Sequence, residues 1–408
     1  MHQLNNFMCL LQPDRHDLLR SKGNSVAATP AEIANRMTGQ LLGRDGRHEA
    51  VLPSPMVQNH AAFLSRHPDG RLDCLWFGGS LEGKSDICIW RSTLPPASDC
   101  WSPAVQISDD PERSEQNPVQ FLAPDGRLLI LHTAQPKGGR QDECSVRMRA
   151  EGGAPQDLPL PAGTFIRAPI HVRPDGAWLL GLFHCVQTPG AQWTGRHDTA
   201  SVAISADAGA TWRRVDVPGS TGCVHMTIVD LGAPDGQHLA AFFRRRQADF
   251  VHRTESRDGG ESWSVPEPTD VPNNNSSIAV VRLADGRLAM ACNPINASMS
   301  ADRRASLYDE LGEDARPQAQ GGCTPIWGVP RGPMSLCLSS DRGKTFPHRI
   351  TVEESPGTCL SNDSLNGKNR ELSYPSLSQA PDGSLDLAYT VYRRAIKHVR
   401  LPLPKDEP

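Results

Sequence analysis

Six times along this 408-residue chain an Asp-Gly pair separates two short apolar segments, and no other feature narrows the possible folds so far. The pairs are Asp69-Gly70, Asp125-Gly126, Asp175-Gly176, Asp235-Gly236, Asp285-Gly286 and Asp382-Gly383, each preceded by Pro or Ala. Glycine has no Cβ to clash at positive φ, so Asp-Gly reads as a tight hairpin turn supplying the positive φ angles such a turn demands. The segments that follow (LDCLWFGG, LLILHTA, WLLGLFH, HLAAFFR, LAMACN and LDLAYTV) have the length and apolar alternation of strands. Hairpins recurring every 50–60 residues or so predict an all-β chain, a six-bladed propeller with four strands per blade. The fifth interval is longer, and residues 296–330, rich in Gly, Pro, Asp and Arg, read as an insertion in blade five.

A second repeat is laid over the first. Ser205-x-Asp207-x-Gly209-x-Thr211-Trp212 fits the Asp-box pattern in full, and Ser256-x-Asp258-x-Gly260-x-Ser262-Trp263 and Ser339-x-Asp341-x-Gly343-x-Thr345-Phe346 fit it with one conservative change each. Such a loop closes on itself when its Ser and Asp side chains accept or donate hydrogen bonds within it, while the aromatic residue plugs between strands. These loops are expected between the third and fourth strands of a blade. Asp207, Asp258 and Asp341 are therefore structural and are excluded as catalytic acids. After the sixth hairpin too few residues remain for a full blade, so an N-terminal strand around residues 48–54 is expected to complete the last sheet and remove an edge. This divides the chain into an N-terminal extension, 1–47, and a propeller, 48–408.

Composition removes several functions. The net charge of −4, with acids and bases interspersed, gives no electrostatic motive for binding nucleic acid or an anionic membrane. No stretch approaches the ~18 apolar residues of a membrane span, and the N-terminus lacks the pattern of a secretory signal. Eleven cysteines, an odd number, sit mostly in apolar runs, which reads as free buried thiols and a cytoplasmic location. No metal-ligand spacing or phosphate-cradling loop is present, so no metal or cofactor is implied.

The segments FGGSLEGKSDICIW (77–90), VPNNNSSIAVVRLADGRL (271–288) and ELSYPSLSQAPDGSLDLAYTVYRRAIKHV (371–399) resemble the BNR/Asp-box repeat, sialidase-like (neuraminidase-like) family of six-bladed propellers. The likeness runs from His48 to His398. It implies a site with three arginines on a substrate carboxylate, a tyrosine nucleophile with a glutamate partner, and an aspartate acid/base. FFRRR resembles the segment carrying the second arginine and points to Arg244; PRGPMSLCLSSDRGKTF points likewise to Arg331, and SYPSLSQAPDGSLDLAYT to Tyr374. Two segments depart from the pattern. Val51-Leu52-Pro53-Ser54 stands where the family carries Arg-Ile-Pro, and Cys223-Val224-His225-Met226 where it carries the glutamate.

In a propeller the innermost strands start near the axis, so polar residues there converge on one funnel. The six starts supply His60, Asn117, Arg167, His225, Asn275-Ser276 and Tyr374. Arg167, Arg244 and Arg331 offer planar cationic forks suited to a carboxylate, with Asn117 and Asn275 as further substrate-binding groups. Which of Arg244, Arg245 and Arg246 faces the axis depends on register. Tyr374 is the candidate nucleophile or general acid, His225 and His60 are candidate bases, and Glu82 or Asp86, in a Gly-rich loop, a candidate acid/base. Arg393 and His398 are expected to close the last blade. The partner expected is a small acidic sugar or glycoside, and three activities compete: an exo-acting glycoside hydrolase, a polysaccharide lyase with a His/Tyr pair, and a non-catalytic sugar-binding propeller or unrelated enzyme.

Overall fold

The computed structural model describes residues 29–304, 316–361 and 369–403. Six antiparallel sheets form the blades of a propeller. The innermost strands are Gln58–Arg66 in blade one, Arg113–Leu122 in two, Thr164–Ile166 with His171–Val172 in three, Cys223–Asp230 in four, Ala279–Arg282 in five and Leu372–Gln379 in six.

The six Asp-Gly hairpins form, with a geometry other than the one expected. In blade one His67 O accepts from Gly70 N at 3.0 Å and His67 N donates to Arg71 O at 2.8 Å, so the loop holds three residues, not two. Only the glycine takes a positive φ. The aspartate instead accepts from the amide two residues on, at 2.9 Å for Asp69 and 3.0 Å for Asp125, Asp175, Asp235, Asp285 and Asp382. Proline suits the position before the Asp because its ring presets the φ of a type I turn. The two-residue turn occurs at a seventh pair, Asp45-Gly46, with φ of 49° and 76°. It joins Leu42–Arg44 to Arg47–Val51, and the second of these pairs with Ala395–Leu401 to complete blade six. The closing strands thus begin at Leu42, ahead of residue 48, because that turn folds the preceding residues back onto the sheet. A short helix, Pro30–Arg36, precedes them, and residues 1–28 of the expected extension lie outside the described residues.

The core lies between neighbouring blades. Phe121 meets Trp178 edge-on at 4.8 Å between blades two and three. Gly181 lets blade four approach blade three, since a Cβ there would stand 2.6 Å from Met226 O. Between the third and fourth strands of blades three, four and five, the Ser-x-Asp-x-Gly loops repeat one hydrogen-bond set. Ser205, Ser256 and Ser339 Oγ each accept from the glycine amide four residues on at 2.8 Å, and Asp207, Asp258 and Asp341 each accept in turn from the amide four residues on, at 2.8–3.0 Å. The insertion interrupts blade five between Leu288–Cys292 and Met334–Ser339; its residues 305–315 are outside those described.

Candidate functional site

The backbone turns side chains inward by a repeated irregularity. Ala61, Asn117, His225, Asn275 and Tyr374 all have left-handed φ, between 49° and 61°, at equivalent places in five blades. In blades one, two, four and six the strand register shifts there, at His60/Phe63, Gln116/Val119, Val224/Thr227 and Ser373/Ser376. A bulge adds one residue to the strand and re-aims its neighbours, which strict alternation cannot do. For alanine and tyrosine the left-handed region costs roughly 1–2 kcal/mol, a strain that rigid surroundings must hold in place.

Tyr374, partly exposed, stands among guanidinium groups. Arg244 Nη1 donates to Tyr374 Oη at 2.8 Å, and the guanidinium carbons of Arg167, Arg331 and Arg244 lie 5.5, 5.7 and 5.9 Å from the ring centre. Burial pushes the phenol's pKa up, but Arg244 and Arg331 pull harder, and the net is below the ordinary value. Beneath the tyrosine, fully buried Glu371 takes Arg331 Nη1 at 2.9 Å, Arg393 Nε at 3.1 Å and the Ser373 hydroxyl at 2.5 Å. Burial works against the Glu371 carboxylate, yet Arg393 and Arg331 hold it well below the usual carboxylate range. Glu82, on the blade-one loop, pairs with Arg393 from the mouth side. Arg244 differs from these ion-paired arginines. Only 2% exposed, it is held by Asn275 Oδ1 at 2.8 Å and Tyr374, with His225 Nε2 at 3.4 Å, all neutral groups, and burial lowers its pKa to about 10. The five buried guanidiniums of Arg167, Arg244, Arg246, Arg331 and Arg393 thus face three carboxylates, those of Glu371, Glu82 and Asp198.

Other expected site residues have structural work. Arg167 Nη2 ties blade three to blades one and six, donating to Ala62 O at 2.7 Å, Tyr374 O at 3.0 Å and Pro375 O at 3.2 Å, so it braces the tyrosine's backbone and is not placed as a substrate fork. His60 is fully buried, with Nδ1 2.9 Å from Thr390 Oγ1 and its ring 4.2 Å from that of Tyr374. It lies under the tyrosine, out of a substrate's reach, and is no general base. Burial, then Arg393, holds its pKa well below the ordinary value. His225 flanks Tyr374 edge-on at 5.5 Å, with Nδ1 on Ser277 Oγ at 2.9 Å, and is held neutral by burial and Arg244. Asp86 accepts from Ser80 N at 3.0 Å and Ser80 Oγ at 2.9 Å, so it caps its own loop and leaves Glu82 as the loop carboxylate at the site. Asn117 donates to Thr133 Oγ1 at 3.2 Å within blade two. Asn275 positions Arg244 and donates to Ile326 O at 3.0 Å, tying the blade-five insertion to the site.

Register resolves the arginine triplet. Arg244 faces Tyr374; Arg245 turns away to Thr221 O at 2.9 Å; Arg246 pairs with buried Asp198 at 2.7 Å inside a box of Phe183, Trp193 and Trp327. His398 does close the ring, bridging Asp386 at 2.7 Å and Trp101 Nε1 at 3.2 Å, whereas Arg393 belongs to the centre. Arg393 occupies the turn after Leu385–Val391, where Tyr392 and Arg393 have φ of 51° and 56°. Nothing in Tyr-Arg announces a turn of that kind, so its role was hidden, as was that of Glu371, whose only signal was its place three residues before Tyr374. A separate cleft of about 280 Å³ lies at the rim between blades four and five, lined by Arg253, Glu255, Arg257 and Arg342. Arg253 and Arg257 there are paired with Glu255, and of the residues described above only the loop aspartate Asp341 lines it.

Among solved structures the chain is similar to Hadza microbial sialidase Hz136, at 12% identity and a TM-score of 0.63 over 85% of this chain and 66% of that one. The NanB sialidase of Streptococcus pneumoniae aligns at 11% identity and a TM-score of 0.62, over 86% of this chain and 70% of its own. A protein of unknown function from Dyadobacter fermentans aligns at 15% and 0.62, over 87% and 98%. At such identities the likeness is one of fold. The chain spans slightly less than two thirds of the Hadza sialidase. No curated protein matches by sequence. No helix among the described residues is long and apolar enough to cross a membrane. The family model for the BNR repeat-like domain matches residues 70–387, and the chain belongs to that family, with a sialidase-like fold.

Proposed function

We propose that the protein is an exo-acting glycoside hydrolase for a small carboxylated sugar. The observation that carries this reading is Arg244, a buried cation held only by neutral groups beside Tyr374. A buried charge of this kind is strongly disfavoured until a ligand carboxylate meets it, and arginine forks do so in a bidentate manner. Arg331 and Arg393, anchored from behind by Glu371, are the other two forks. With the carboxylate fixed, Tyr374 Oη attacks the anomeric carbon. The bond to the leaving oxygen breaks, and that oxygen takes up from water the equivalent of the proton the phenol gave up. A second water, deprotonated by the Glu82 carboxylate, then releases the sugar from the tyrosine. That solved sialidases share the fold supports the assignment of reaction class.

The lyase reading needs a base for the proton α to the carboxylate. His225 is the available imidazole, and burial with Arg244 beside it makes it a weak base, which favours hydrolysis. Product analysis on a panel of acidic-sugar glycosides tests the assignment. A free acidic sugar without a new double bond is expected. An unsaturated product transfers the site to the lyases, and binding without turnover leaves a sugar-binding propeller.

A further inference from the structure

We infer that Tyr374 is activated by its arginines and not by a carboxylate base: its proton leaves to water from the exposed side, and Arg244 holds the phenolate. This rests on the reading of Tyr374 as nucleophile. A phenol is a poor nucleophile until ionised, and an adjacent base or a cationic environment can ionise it. The chain reads Cys223-Val224-His225-Met226 where the pattern it resembles carries the tyrosine's glutamate partner. The carboxylates that are near have other partners. Glu371 is held by Arg331, Arg393 and Ser373, and Glu82 by Arg393.

The groups around the ring come from every blade packed on it. Blade three contributes Arg167; blade four contributes Arg244, Arg246 and neutral His225; the end of the insertion contributes Arg331; blade six contributes Arg393 with Glu371. Blade one contributes Glu82, whose charge opposes ionisation, and neutral His60. Cations outnumber anions in this set, and the nearest, Arg244, donates straight to the oxygen at 2.8 Å.

The chain has four tyrosines, so the phenolate can be watched directly by its ultraviolet band. Tyr389, bonded to Glu353, and Tyr392 are both held above the ordinary value, and Tyr308 lies outside the described residues. Titrating wild type and Tyr374→Phe and subtracting isolates one phenolate. Its midpoint is expected below the ~10 of free tyrosine. Arg244→Gln, checked for fold by circular dichroism, should move it up by about one to three pH units; if that variant does not fold, Arg331→Gln should move it the same way. A midpoint at or above that of free tyrosine, or one the arginine substitution leaves in place, overturns the inference. An ordinary midpoint with turnover intact defeats arginine activation alone. A low midpoint without turnover on any acidic sugar defeats the hydrolase reading alone.

Discussion

The rim of the ring and its centre use the same residue types to opposite ends. At the rim, Asp207, Asp258 and Asp341 have their hydrogen bonds met within one short loop, three times over with the same partners. At the centre five of the six blades share a similar left-handed backbone under side chains that vary, and Arg244 is left with an amide, a phenol and a neutral imidazole. A motif that satisfies itself has nothing left to offer a ligand. Repetition therefore marks the frame, and the candidate site is built from residues that break the repeat.

Four substitutions or conditions test that contrast. The largest effect is expected from Glu371→Ala, which strands Arg331 in the interior and takes from Arg393 the more deeply buried of its two carboxylates. Denaturant unfolding should show a loss of about 3–5 kcal/mol, and a loss too small to resolve would mean the two arginines reach water on their own. Tyr374→Phe removes one hydroxyl and keeps the ring. Turnover should fall by at least ~100-fold, about 2.7 kcal/mol of transition-state stabilisation, with the melting temperature nearly unchanged. Retained turnover would take the tyrosine out of the reaction.

Ser339→Ala is the counterpart at the rim. It orphans the buried Gly343 amide and should cost about 1–2 kcal/mol of stability while kcat/KM stays as it was. A loss of activity larger than the loss of folded protein would break the separation of rim from centre. The smallest effect, taken group by group, is that of mild acid. His60 and His225 have folded pKa values well below the ordinary one, and His184 is lowered to about 4, so all three are neutral in the fold. The unfolded chain takes up protons below about 6.5, and stability falls as pH drops through that value, by about 0.5–1 kcal/mol per histidine between pH 7 and pH 6. The rim aspartates have lowered pKa values, Asp207 to about 2, so what they contribute is present above the unfolded value and lost only as pH falls from near ~4. Stability that stays flat from pH 7 to pH 5 would contradict this order.

What the sequence discloses follows the same division. Asp-Gly pairs are legible because glycine takes their positive φ without strain, and they number the blades, although the seventh pair, Asp45-Gly46, falls among residues expected to lie outside the propeller. Tyr374, Arg244 and Arg331 are legible by likeness. Arg167 and Asp86 are of the right type in the right place, and only hydrogen-bond partners tell a brace or a cap from a ligand fork. His60 misleads because the left-handed residue after it, Ala61, alters which side chains reach the axis, and a bulge leaves no mark in apolar alternation. Arg393 was hidden for a related reason, lying in a turn made without glycine.

The last blade holds Glu371, Tyr374 and Arg393, yet its sheet is finished by Arg47–Val51, paired with Ala395–Leu401. During synthesis the first five blades can form one after another as the chain leaves the ribosome. The sixth must wait until residues made last return to residues made first, so the charged centre assembles as the final act of folding, and a chain cut short anywhere before Ala395 is expected to lack that centre.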